Sequence, residues 1–568
     1  MTETPGLTAL RAAEHALLQR WPETKLDPSL ERIAALCDLL GQPQRAYPVV
    51  HLTGTNGKTS TARMVDSLLR GLGLRTGQFT SPHLESITER ISIDGHPLPP
   101  QRFAEVYAEV APYAQVVDNS GDYPVSFFEF VTAMAFAAFA DAPVDAAVVE
   151  VGMGGTWDST NVADASVAVI TPVGVDHSRY LGETPEAIAV EKAGILKAGS
   201  FGILAQQSIE VAEVLLQRAA EVGATVAREG LEFGVVERIP GMGGQMLTLQ
   251  GLGGTYEEIF LPLYGAHQAQ NAVCALAAVE AFAGGKGLDG GLDVEAVREA
   301  FAQVTSPARL EIIRRSPTIV LDAAHNPHGA AALVEAVQES FAFSPLVGVV
   351  GTMEDKDVAG LIDAFEPLMA SIVCTQNSTA RAMPADELAE VARGVFGSER
   401  VEVAPRLDDA LDIAVGLAES ARRRRHRHGR WGSAGHGFRH HGRRGSSPAA
   451  RRSTVRSPRR MMCAAVLGFE CIVLGLVTPV LISVEEMSTS VALVVGLGLA
   501  IAAVVIAGLL RAEWAYWLGF ALQAAAVALG FVVSVMFVLG LIFAALYTSA
   551  YLLGRKIEAQ YAARPEHG

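Results

Sequence analysis

The loop TGTNGKTS, residues 53–60, contains the residue types that bind a nucleotide phosphate. Gly54 and Gly57 would let backbone N–H groups approach phosphate oxygens. Lys58 supplies a positive charge for the β- and γ-phosphates, and the hydroxyl of Thr59 is a ligand that Mg²⁺ accepts. The full pattern G-x-x-x-x-G-K-[ST] is not met, because a leucine stands at the first glycine position. From this pattern alone, a phosphate site and a turn without a ligand are both possible.

The elements predicted around the loop favour the phosphate site. The apolar run Tyr47–Leu52 predicts a strand that leads directly into the loop, and a helix is predicted from Thr61 to about Arg70. A strand, a glycine-containing loop and a helix in this order are typical of phosphate binding. Further predicted elements are helical segments within 8–40 with an interruption at Trp21–Pro22, strands at 146–151 and 167–171, and helices at 127–140 and 185–196.

Two further candidates for the chemistry follow predicted strands. Glu150 lies at the carboxyl end of the strand predicted at 146–151, and His177 follows the strand predicted at 167–171. An open α/β sheet binds its ligands at the carboxyl ends of its strands, which favours a functional role for Glu150. The alternatives are a surface carboxylate for Glu150 and a packed histidine for His177.

The segment after residue 318 alternates regularly between predicted strands and helices. This alternation predicts a parallel, Rossmann-like sheet. Its elements are strands at 318–321, 346–350, 371–375 and 400–403 and helices at 329–341, 357–369, 384–396 and 407–420. The glycine-rich stretches near 241–254 and 284–291 are predicted to be loops. This alternation of strands and helices predicts one more strand after residue 420.

Charge divides the chain into three parts. The 568 residues carry a formal charge of -16, which argues against nucleic acid as the main partner. Residues 421–460 contain fourteen Arg and no Lys, Asp or Glu, and residues 1–420 carry a formal charge of -28.

The five cysteines form no C-x-x-C pair, so a disulfide scaffold or a zinc ribbon is not expected. The amino terminus shows no basic patch followed by an apolar core, and we expect a cytoplasmic catalytic part.

The arginine-rich segment 421–460 stands where the additional strand is expected. One interpretation is a basic linker. The interpretation we favour is a change of reading frame: one choice of codons from Arg422 onward encodes GDGDTGTGGGVLLVTGSVITVGEA in a frame displaced by one base. That string contains the buried-strand pattern VLLVTGS at the missing position. DNA without a single-base insertion or deletion near codons 420–462 would exclude this hypothesis.

Beyond residue 460 the composition is typical of a membrane protein. Two apolar stretches of about 20 residues, 462–482 and 491–510, and the uncharged stretch 514–553 predict four spans. By the positive-inside rule, basic loops lie on the cytoplasmic side of the membrane. The rule places there the segments with basic residues, which are 421–460, Arg511 and 555–556. Glu470, within the first predicted span, is either a functional or interhelical site or close enough to the headgroups to stay hydrated.

The first 420 residues contain an ordered set of motifs that resembles the folylpolyglutamate synthase/dihydrofolate synthase family, in the Mur ligase superfamily. The motifs, each weak alone, are TGTNGKTS, Ser81–Leu84, Glu89–Ile91, Phe128–Phe130, Glu150–Gly155 with Asp158 and Asn161, Asp176–His177, Glu191–Ile195 and Asp322–Pro327. The resemblance implies an α/β fold with a P-loop central domain and a Rossmann-like ligase domain. It also implies a ligase that uses ATP and Mg²⁺ to join L-glutamate to dihydropteroate and to reduced folates.

The resemblance assigns residues to the nucleotide and to the metal. The implied nucleotide-binding residues are Gly54, Thr55, Asn56, Gly57, Lys58, Thr59, Ser60, Asn271, Arg309, Asp322 and His325. The implied metal ligands are Thr59, Ser81, Glu150 and His177. Lys58, Lys192 and His177 are the implied catalytic residues. Lys192 matches a lysine that is carbamylated in related enzymes, and an ordinary surface lysine is the alternative.

Substrate contacts are implied less specifically. The implied substrate-binding residues are Leu26, Asp27, Pro82, His83, Ser126, Phe128, Glu129 and Asp158. The run Gly351–Asp357 and Ser378 are candidates near the incoming glutamate. The apolar residues among these could equally belong to the core. Thr156 and Trp157 depart from the Arg-Leu pair of many relatives, which puts local substrate contacts in doubt.

The expected mechanism is phosphorylation of the substrate carboxylate by ATP, followed by attack of the glutamate amine on the acyl phosphate. A muramyl-peptide ligase is one alternative function, and a membrane transporter with its own ATPase is another.

We expect a P-loop catalytic domain at 1–300, a ligase domain at 301–420, a linker or frameshifted segment at 421–460 and a membrane domain at 461–558. The ligase part is expected to be monomeric, and the chain membrane-bound if the fusion is genuine.

Overall fold

A computed structural model of the 568-residue chain describes residues 4–22, 28–284, 291–379, 381–428, 463, 466–471, 473–474, 489–510, 514–533 and 535–562. The chain forms two compact units, Met1–Gly435 and His436–Gly568. The first unit contains the α/β architecture expected from the sequence, and the second is helical.

An eight-stranded sheet forms the centre of the first unit. Its strands are β1 Val49–Thr53, β2 Thr76–Phe79, β3 Ile91–Ile93, β4 His96–Pro97, β5 Ala146–Glu150, β6 Val167–Ile170, β7 Phe201–Leu204 and β8 Thr225–Arg228. Their order in the sheet is β4-β3-β2-β5-β1-β6-β7-β8. All neighbours from β2 to β8 pair in parallel, while β3 and β4 are antiparallel. Each strand predicted in this region is confirmed.

Helices cover both faces of this sheet. They are α1 Pro5–Leu18, α2 Glu31–Leu39, α3 Lys58–Gly71, α4 Pro100–Ser120, α5 Phe127–Asp141, α6 Ser178–Leu181, α7 Pro185–Ala193, α8 Ile209–Val222, α9 Ala266–Phe282 and α10 Val294–Ala302. Side chains alternate across a strand. Val50 and Leu52 therefore pack toward α3 and α9, whereas Val49 packs toward α2 and α5. Helix α3 begins at Lys58, three residues before the predicted start, so the loop lysine belongs to the first turn of the helix.

A second sheet replaces a predicted loop. Strands β9 Gly234–Gly241, β10 Gly244–Gln250 and β11 Thr255–Leu261 form an antiparallel sheet in the order β11-β10-β9. The loop prediction for 241–254 is therefore wrong over Gly244–Gln250. The glycine content has a packing reason: a Cβ at Gly244 would lie 2.1 Å from the backbone oxygen of Leu261 on the neighbouring strand. Of the second predicted loop, 285–290 lie outside the described residues.

The remaining part of the first unit contains two small sheets. Strands β12 Glu311–Arg315 and β13 Thr318–Leu321 pair antiparallel. Strands β14 Val347–Val350, β15 Ser371–Cys374 and β16 Val401–Val403 pair in parallel in that order. The helices are α11 Pro327–Ser340, α12 Val358–Phe365, α13 Ala385–Phe396 and α14 Leu407–His428. The predicted alternation is confirmed. However, the first predicted strand, β13, pairs with β12 and not with the parallel strands.

The second unit contains three described helices, α15 Thr489–Leu509, α16 Ala515–Ala528 and α17 Val535–Ala562. Within the described residues, one segment, Met536–Leu553, is long and apolar enough to cross a membrane, and Leu497–Ala507 and Ala515–Phe531 are shorter apolar helical stretches. Large side chains such as Trp517 and Phe531 are exposed on these helices. Most of the first predicted span lies outside the described residues, and four spans remain a prediction.

Candidate active site

The loop between β1 and α3 is held by close packing at its glycines. Gly54 and Gly57 both have positive φ angles, 149° and 89°. A Cβ at Gly54 would lie 1.8 Å from Oγ1 of Thr171, and one at Gly57 would lie 2.4 Å from Oδ1 of Asn271. Only glycine fits these two positions. The same packing brings Asn271, an implied nucleotide-binding residue, against the loop.

Two lysines, the half-buried Lys58 and the buried Lys192, meet at one backbone oxygen of this loop. The Nζ atoms of Lys58 and Lys192 donate to the backbone oxygen of Gly54 at 2.9 Å and 2.8 Å. Lys58 also donates to the backbone oxygen of Thr55 at 3.3 Å. Burial lowers the pKa of both amines, and the neighbouring charge of Lys58 lowers that of Lys192 further. The two predicted catalytic lysines therefore lie together beside the loop.

Glu150, at the end of β5, faces the first turn of α3. The hydroxyl of Thr59 donates to Oε1 of Glu150 at 2.7 Å, while Oε2 is buried and has no hydrogen-bond partner. Burial raises the pKa of this carboxyl, although Lys58, Thr59 and the backbone N–H of Ser81 act in the opposite direction. An unpaired buried carboxylate oxygen next to a hydroxyl is a donor set that suits Mg²⁺. The predicted ligands Thr59, Ser81 and Glu150 are thus brought together.

His177, the fourth predicted ligand, lies in the turn before α6 with a φ of 53°. Burial lowers the pKa of His177 to about 4, so the ring is neutral at pH 7 and a nitrogen lone pair is available. Within the described part of the chain, no three His, Cys, Asp or Glu side chains form a metal-binding group. Any ion here would therefore depend on hydroxyl and phosphate oxygens besides Glu150 and His177.

Asp176 connects the two α/β parts of the first unit. Its carboxylate accepts from Nζ of Lys356 at 2.6 Å and from Nδ2 of Asn326 at 3.3 Å, and it lies 3.3 Å from Nε2 of His325. Burial acts to raise the pKa of Asp176. The hydrogen bonds and charges of His325, His177 and Lys356 outweigh burial and hold the pKa far below its usual range. A nearby amide pair, Asn56 with Asn326, adds a second connection at 3.0 Å.

The predicted residues Arg309 and Asp322 lie on the turn and hairpin opposite the loop. Asp322 accepts backbone N–H groups of Leu310 at 2.9 Å and Ala324 at 2.8 Å, so its carboxylate fixes this turn. Burial raises its pKa, and these hydrogen bonds oppose the effect. The charge of Arg309 acts on both Lys58 and Glu150. Arg309 is therefore close enough to contribute to the electrostatics of the loop.

A cavity of 980 Å³ opens between the two parts, within the size range of ligand sites. The predicted residues that line it are Ser81, Pro82, Ser126, Phe128, Glu129, Asp158, His177, Asp322 and His325. Gly351–Lys356, most of the run predicted near glutamate, lines it as well. His83 is not among the lining residues, and its Nδ1 accepts from Nε of Arg90 at 3.0 Å. The predicted Leu26 and Asp27 lie outside the described residues.

Three of the predicted substrate residues also maintain the local fold. Ser126 and Glu129 form a capping box at the start of α5, and Nε of Arg32 pairs with Oε1 of Glu129 at 3.1 Å. The carboxylate of Asp158 accepts the backbone N–H groups of Met153 at 2.9 Å and of Thr160 at 3.0 Å. These carboxylates therefore position the cavity wall whether or not they touch a substrate.

Sequence reasoning did not identify Arg32, and it gave no individual role to Arg90, Asp176 or Lys356, which lie within the motifs and the run that it named. Arg32, Arg90 and Lys356 line the cavity, and Asp176 joins its two sides. The position of Lys356 just after β14 was a signal that could have identified it, because ligands bind at such strand ends. Arg32 lies on a predicted helix whose pattern shows only its apolar face, and nothing in that pattern identifies the arginine.

Comparisons with known proteins agree with this geometry. Residues 125–279 match the family model "Mur ligase middle domain", and residues 308–423 match "Mur ligase, glutamate ligase domain". Residues 460–563 match a protein family of unknown function (DUF4233).

Curated relatives cover the ligase part. The dihydrofolate synthase/folylpolyglutamate synthase of Mycobacterium tuberculosis is 52% identical over 428 residues, which is 73% of this chain and 88% of the relative. The Escherichia coli protein of the same name is 32% identical over 68% of this chain and 86% of the relative.

Solved structures give the same assignment. The M. tuberculosis folylpolyglutamate synthase complexed with ADP superposes with a TM-score of 0.70 at 51% identity, covering 73% of this chain and 92% of that one. An E. coli structure in complex with DHPP and ADP gives a TM-score of 0.64 at 29% identity, covering 73% and 93%. The P-loop, the paired lysines and these matches together show that the chain belongs to the folylpolyglutamate synthase/dihydrofolate synthase family of Mur ligases.

Proposed function

We propose that the chain uses ATP to join L-glutamate to dihydropteroate and to reduced folates through an acyl phosphate. The observation that carries the proposal is the group formed by Lys58, Lys192, Thr59 and Glu150 at the loop between β1 and α3. Such a group suits phosphoryl transfer, in which positioning and charge neutralisation do most of the work. The names of the relatives identify glutamate and folates as the substrates.

In the proposed first step, the γ-phosphoryl group of ATP passes to the substrate carboxylate. The backbone of the 53–60 loop and Lys58 would bind the phosphates, with the charge of Arg309 acting on Lys58 and with His325 in the cavity wall. Asn271, packed against the loop, would contact the adenine. Mg²⁺ held by Thr59, Glu150, Ser81 and His177 would neutralise charge on the phosphate oxygens.

In the proposed second step, the amine of glutamate attacks the acyl phosphate and inorganic phosphate leaves. Lys356 lies in the cavity wall with a side chain that is 8% exposed, and it is a cation near which a glutamate carboxylate could bind. The pterin end would lie among Phe128, Pro82 and Trp157. The enclosed cavity limits access of water to the acyl phosphate, which would otherwise hydrolyse.

Lys192 is proposed to be carbamylated. Its amine is buried, and burial together with the charge of Lys58 holds its pKa well below the usual value, which favours the neutral form relative to an exposed lysine. Carbamylation uses the neutral form of the amine, which adds to CO₂, forms an N–C bond and releases one proton to yield a carboxylate. That carboxylate would face Lys58 across the Gly54 oxygen and would provide a further oxygen near the metal site.

We further propose the domain division 1–300, 301–420, 421–460 and 461–558, with the catalytic part in the cytoplasm. The helices of the second unit, with exposed Trp517 and Phe531, support contact with a membrane. The ligase would then be tethered to the membrane if translation is continuous.

The test is ligase turnover by the purified full chain in detergent. ADP release should require L-glutamate together with dihydropteroate or a reduced folate, and the product should gain one glutamyl residue by mass. Lys58→Ala should abolish turnover. Arg70→Ala, which removes a cation from the last turn of the same helix, should retain it. Glutamate-dependent ADP release by Lys58→Ala close to that of the unmodified chain would refute the assignment.

A further inference from the structure

The second unit buries two polar side chains and exposes large apolar ones. Glu470 and Gln523 are 1% and 3% exposed, whereas Trp517 and Phe531 are 72% and 84% exposed. A helical unit surrounded by water shows the opposite distribution. Burying a polar group costs free energy unless the group is paired, and a carboxyl group within apolar helices commonly has a function. The surroundings of Glu470 and Gln523 therefore indicate what they can bind.

Helix α16 directs Gln523 into the interior of the second unit. Tyr516, Gly519 and Gln523 follow one another at intervals of three and four residues and lie on one buried face of the helix. A Cβ at Gly519 would overlap with the hydroxyl oxygen of Tyr547, so α16 and α17 approach each other closely at this level. The packing of the helices thus fixes the interior position of Gln523.

Glu470 meets Gln523 from the helical segment 466–471. Nε2 of Gln523 donates to Oε2 of Glu470 at 2.5 Å. The other oxygen of each side chain, Oε1 of Glu470 and Oε1 of Gln523, is buried and has no hydrogen-bond partner among the described residues. One hydrogen bond therefore leaves two buried acceptors without a donor, and such acceptors are costly inside a protein.

The helices around this pair have no basic residue in their sequences. Helices α15 and α16 and residues 535–553 of α17 contain no Asp, Glu, Lys, Arg or His. The ionisable groups of the surrounding cluster are thiols and phenols, which carry no positive charge in either protonation state. They are Cys463, Cys471, Tyr516, Tyr547 and Tyr551. A carboxylate at Glu470 therefore requires a cation from solution.

A proton is the cation that fits this pair. Mg²⁺ and Ca²⁺ take about six or more oxygen ligands, whereas the pair offers two unpartnered oxygens. A protonated carboxyl group has one O–H donor. With the proton on Oε1, Glu470 can donate to Oε1 of Gln523 while Oε2 continues to accept from Nε2. The acid and the amide then form a closed pair with two hydrogen bonds, which satisfies both oxygens.

We propose that Glu470 and Gln523 form a proton-binding site inside the second unit, with the carboxyl group protonated at pH 7. Uptake of one proton forms an O–H bond at Oε1 of Glu470 and removes its negative charge. Release breaks this bond and returns the proton to water. Proton binding is thereby coupled to the contact between α16 and the segment 466–471, because only the protonated carboxyl group can donate to Gln523. The proposal concerns the second unit alone and does not depend on the ligase activity.

Infrared spectroscopy of the purified full chain in detergent tests the protonation state. The C=O stretch of a protonated carboxyl group has a higher frequency than the stretches of a carboxylate, and it shifts in D₂O. We expect the difference spectrum between the unmodified chain and Glu470→Gln to contain this band at pH 7. An exposed glutamate, with an ordinary pKa of about 4.3, is ionised at this pH. Glu210→Gln changes an exposed glutamate in the first turn of α8, and its difference spectrum should lack the band.

A second variant tests the partner. Glu470→Gln is expected to fold, because its amide N–H can replace the O–H of the carboxyl group in the closed pair. Gln523→Leu removes the amide and keeps a side chain of similar size. In Gln523→Leu the band of Glu470 should move to higher frequency, since its C=O group no longer accepts from Nε2.

A second measurement needs no variant. Dicyclohexylcarbodiimide is an apolar reagent that modifies protonated carboxyl groups. It should label Glu470 at pH 7 and label it less as the pH rises, as located by mass spectrometry of peptides.

Four results would overturn the proposal. These are a difference spectrum of Glu470→Gln without the protonated band at pH 7, an unchanged band in Gln523→Leu, no carbodiimide label on Glu470 at pH 7, and a carboxylate band of Glu470 that varies with the concentration of Na⁺. The last result would show that the pair binds a metal ion and not a proton.

Discussion

The two α/β parts of the ligase unit differ in how completely their sheets are built. In the eight-stranded sheet, β1 and β5 are buried along their whole length between two helical layers. In the ligase part, β14 is half-buried at three of its four residues, although β15 beside it is almost fully buried. Similar apolar strand sequences thus reach different burial because a central strand needs neighbours on both edges.

The two sheets also carry different parts of the proposed site. The groups that bind phosphate and metal in our proposal rest on the complete sheet, where Lys192 and Glu150 are buried and Lys58 is half-buried. The groups proposed for glutamate rest on the incomplete one, where Lys356 is held mainly by its ion pair with Asp176. The nucleotide site thus rests on strands that are buried along their whole length, whereas the ligase part contributes the half-buried strand β14.

Hydrogen exchange should show the largest contrast. The amide protons of Val347 and Val349 point away from β15, toward the edge of β14 that has no paired strand among the described residues. The amide protons of Val50 and Val148 lie in a buried sheet. We expect exchange on the order of 10⁴-fold faster at the first pair, since a core amide exchanges only through extensive unfolding. Amide exchange with site resolution measures this ratio. Equal protection at both pairs would mean that the β14 edge is covered.

A large effect is expected at Glu150. Glu150→Gln removes the charge from the unpaired carboxylate oxygen while keeping its shape, so turnover should fall about 10³-fold, or roughly 4 kcal/mol. Steady-state kinetics with a Mg²⁺ titration measures the loss. The matched control is Glu229→Gln, another largely buried glutamate whose pKa is raised by burial, just after β8. If both variants lost activity equally, burial of charge and not the site would be responsible.

An effect of intermediate size is expected at Asp176, which connects the two parts. Asp176→Asn leaves the buried ammonium group of Lys356 without its carboxylate, which should destabilise the closed arrangement by about 3 kcal/mol. We expect a higher KM for glutamate and a lower melting temperature. Asp94→Asn breaks an exposed pair with Arg75 and should cost less than about 1 kcal/mol. Unchanged glutamate kinetics in Asp176→Asn would remove Lys356 from the proposed site.

The smallest effect concerns packing. Val148→Ala in β5 removes methyl groups from a fully buried site and should cost about 2 kcal/mol of unfolding free energy. Val349→Ala in half-buried β14 should cost about 1 kcal/mol less. Urea denaturation followed by fluorescence compares them.

Much of the fold was predictable because local patterns determine it. The strand before the loop, the parallel strands β14 to β16 and the helices between them follow from apolar runs and turn residues. The strand β10 was missed because glycines that permit close approach of strands look like loop glycines in a sequence. The antiparallel hairpin of β12 and β13 was missed because pairing depends on contacts between strands and not on the strand itself.

The sequence by itself determined the residue types of the site. The loop glycines, Lys58, Thr59 and Glu150 are identifiable as a phosphate and metal site from their order along the chain. The tertiary structure alone decided which groups meet: Lys192 at the oxygen of Gly54, Lys356 at Asp176, and Asn271 at Gly57. It alone also revealed that, within the described residues, β14 pairs only with β15 and has an unpaired edge. The physical reason is that burial, pKa shifts and unpaired edges arise between segments distant in sequence, where no local pattern records them.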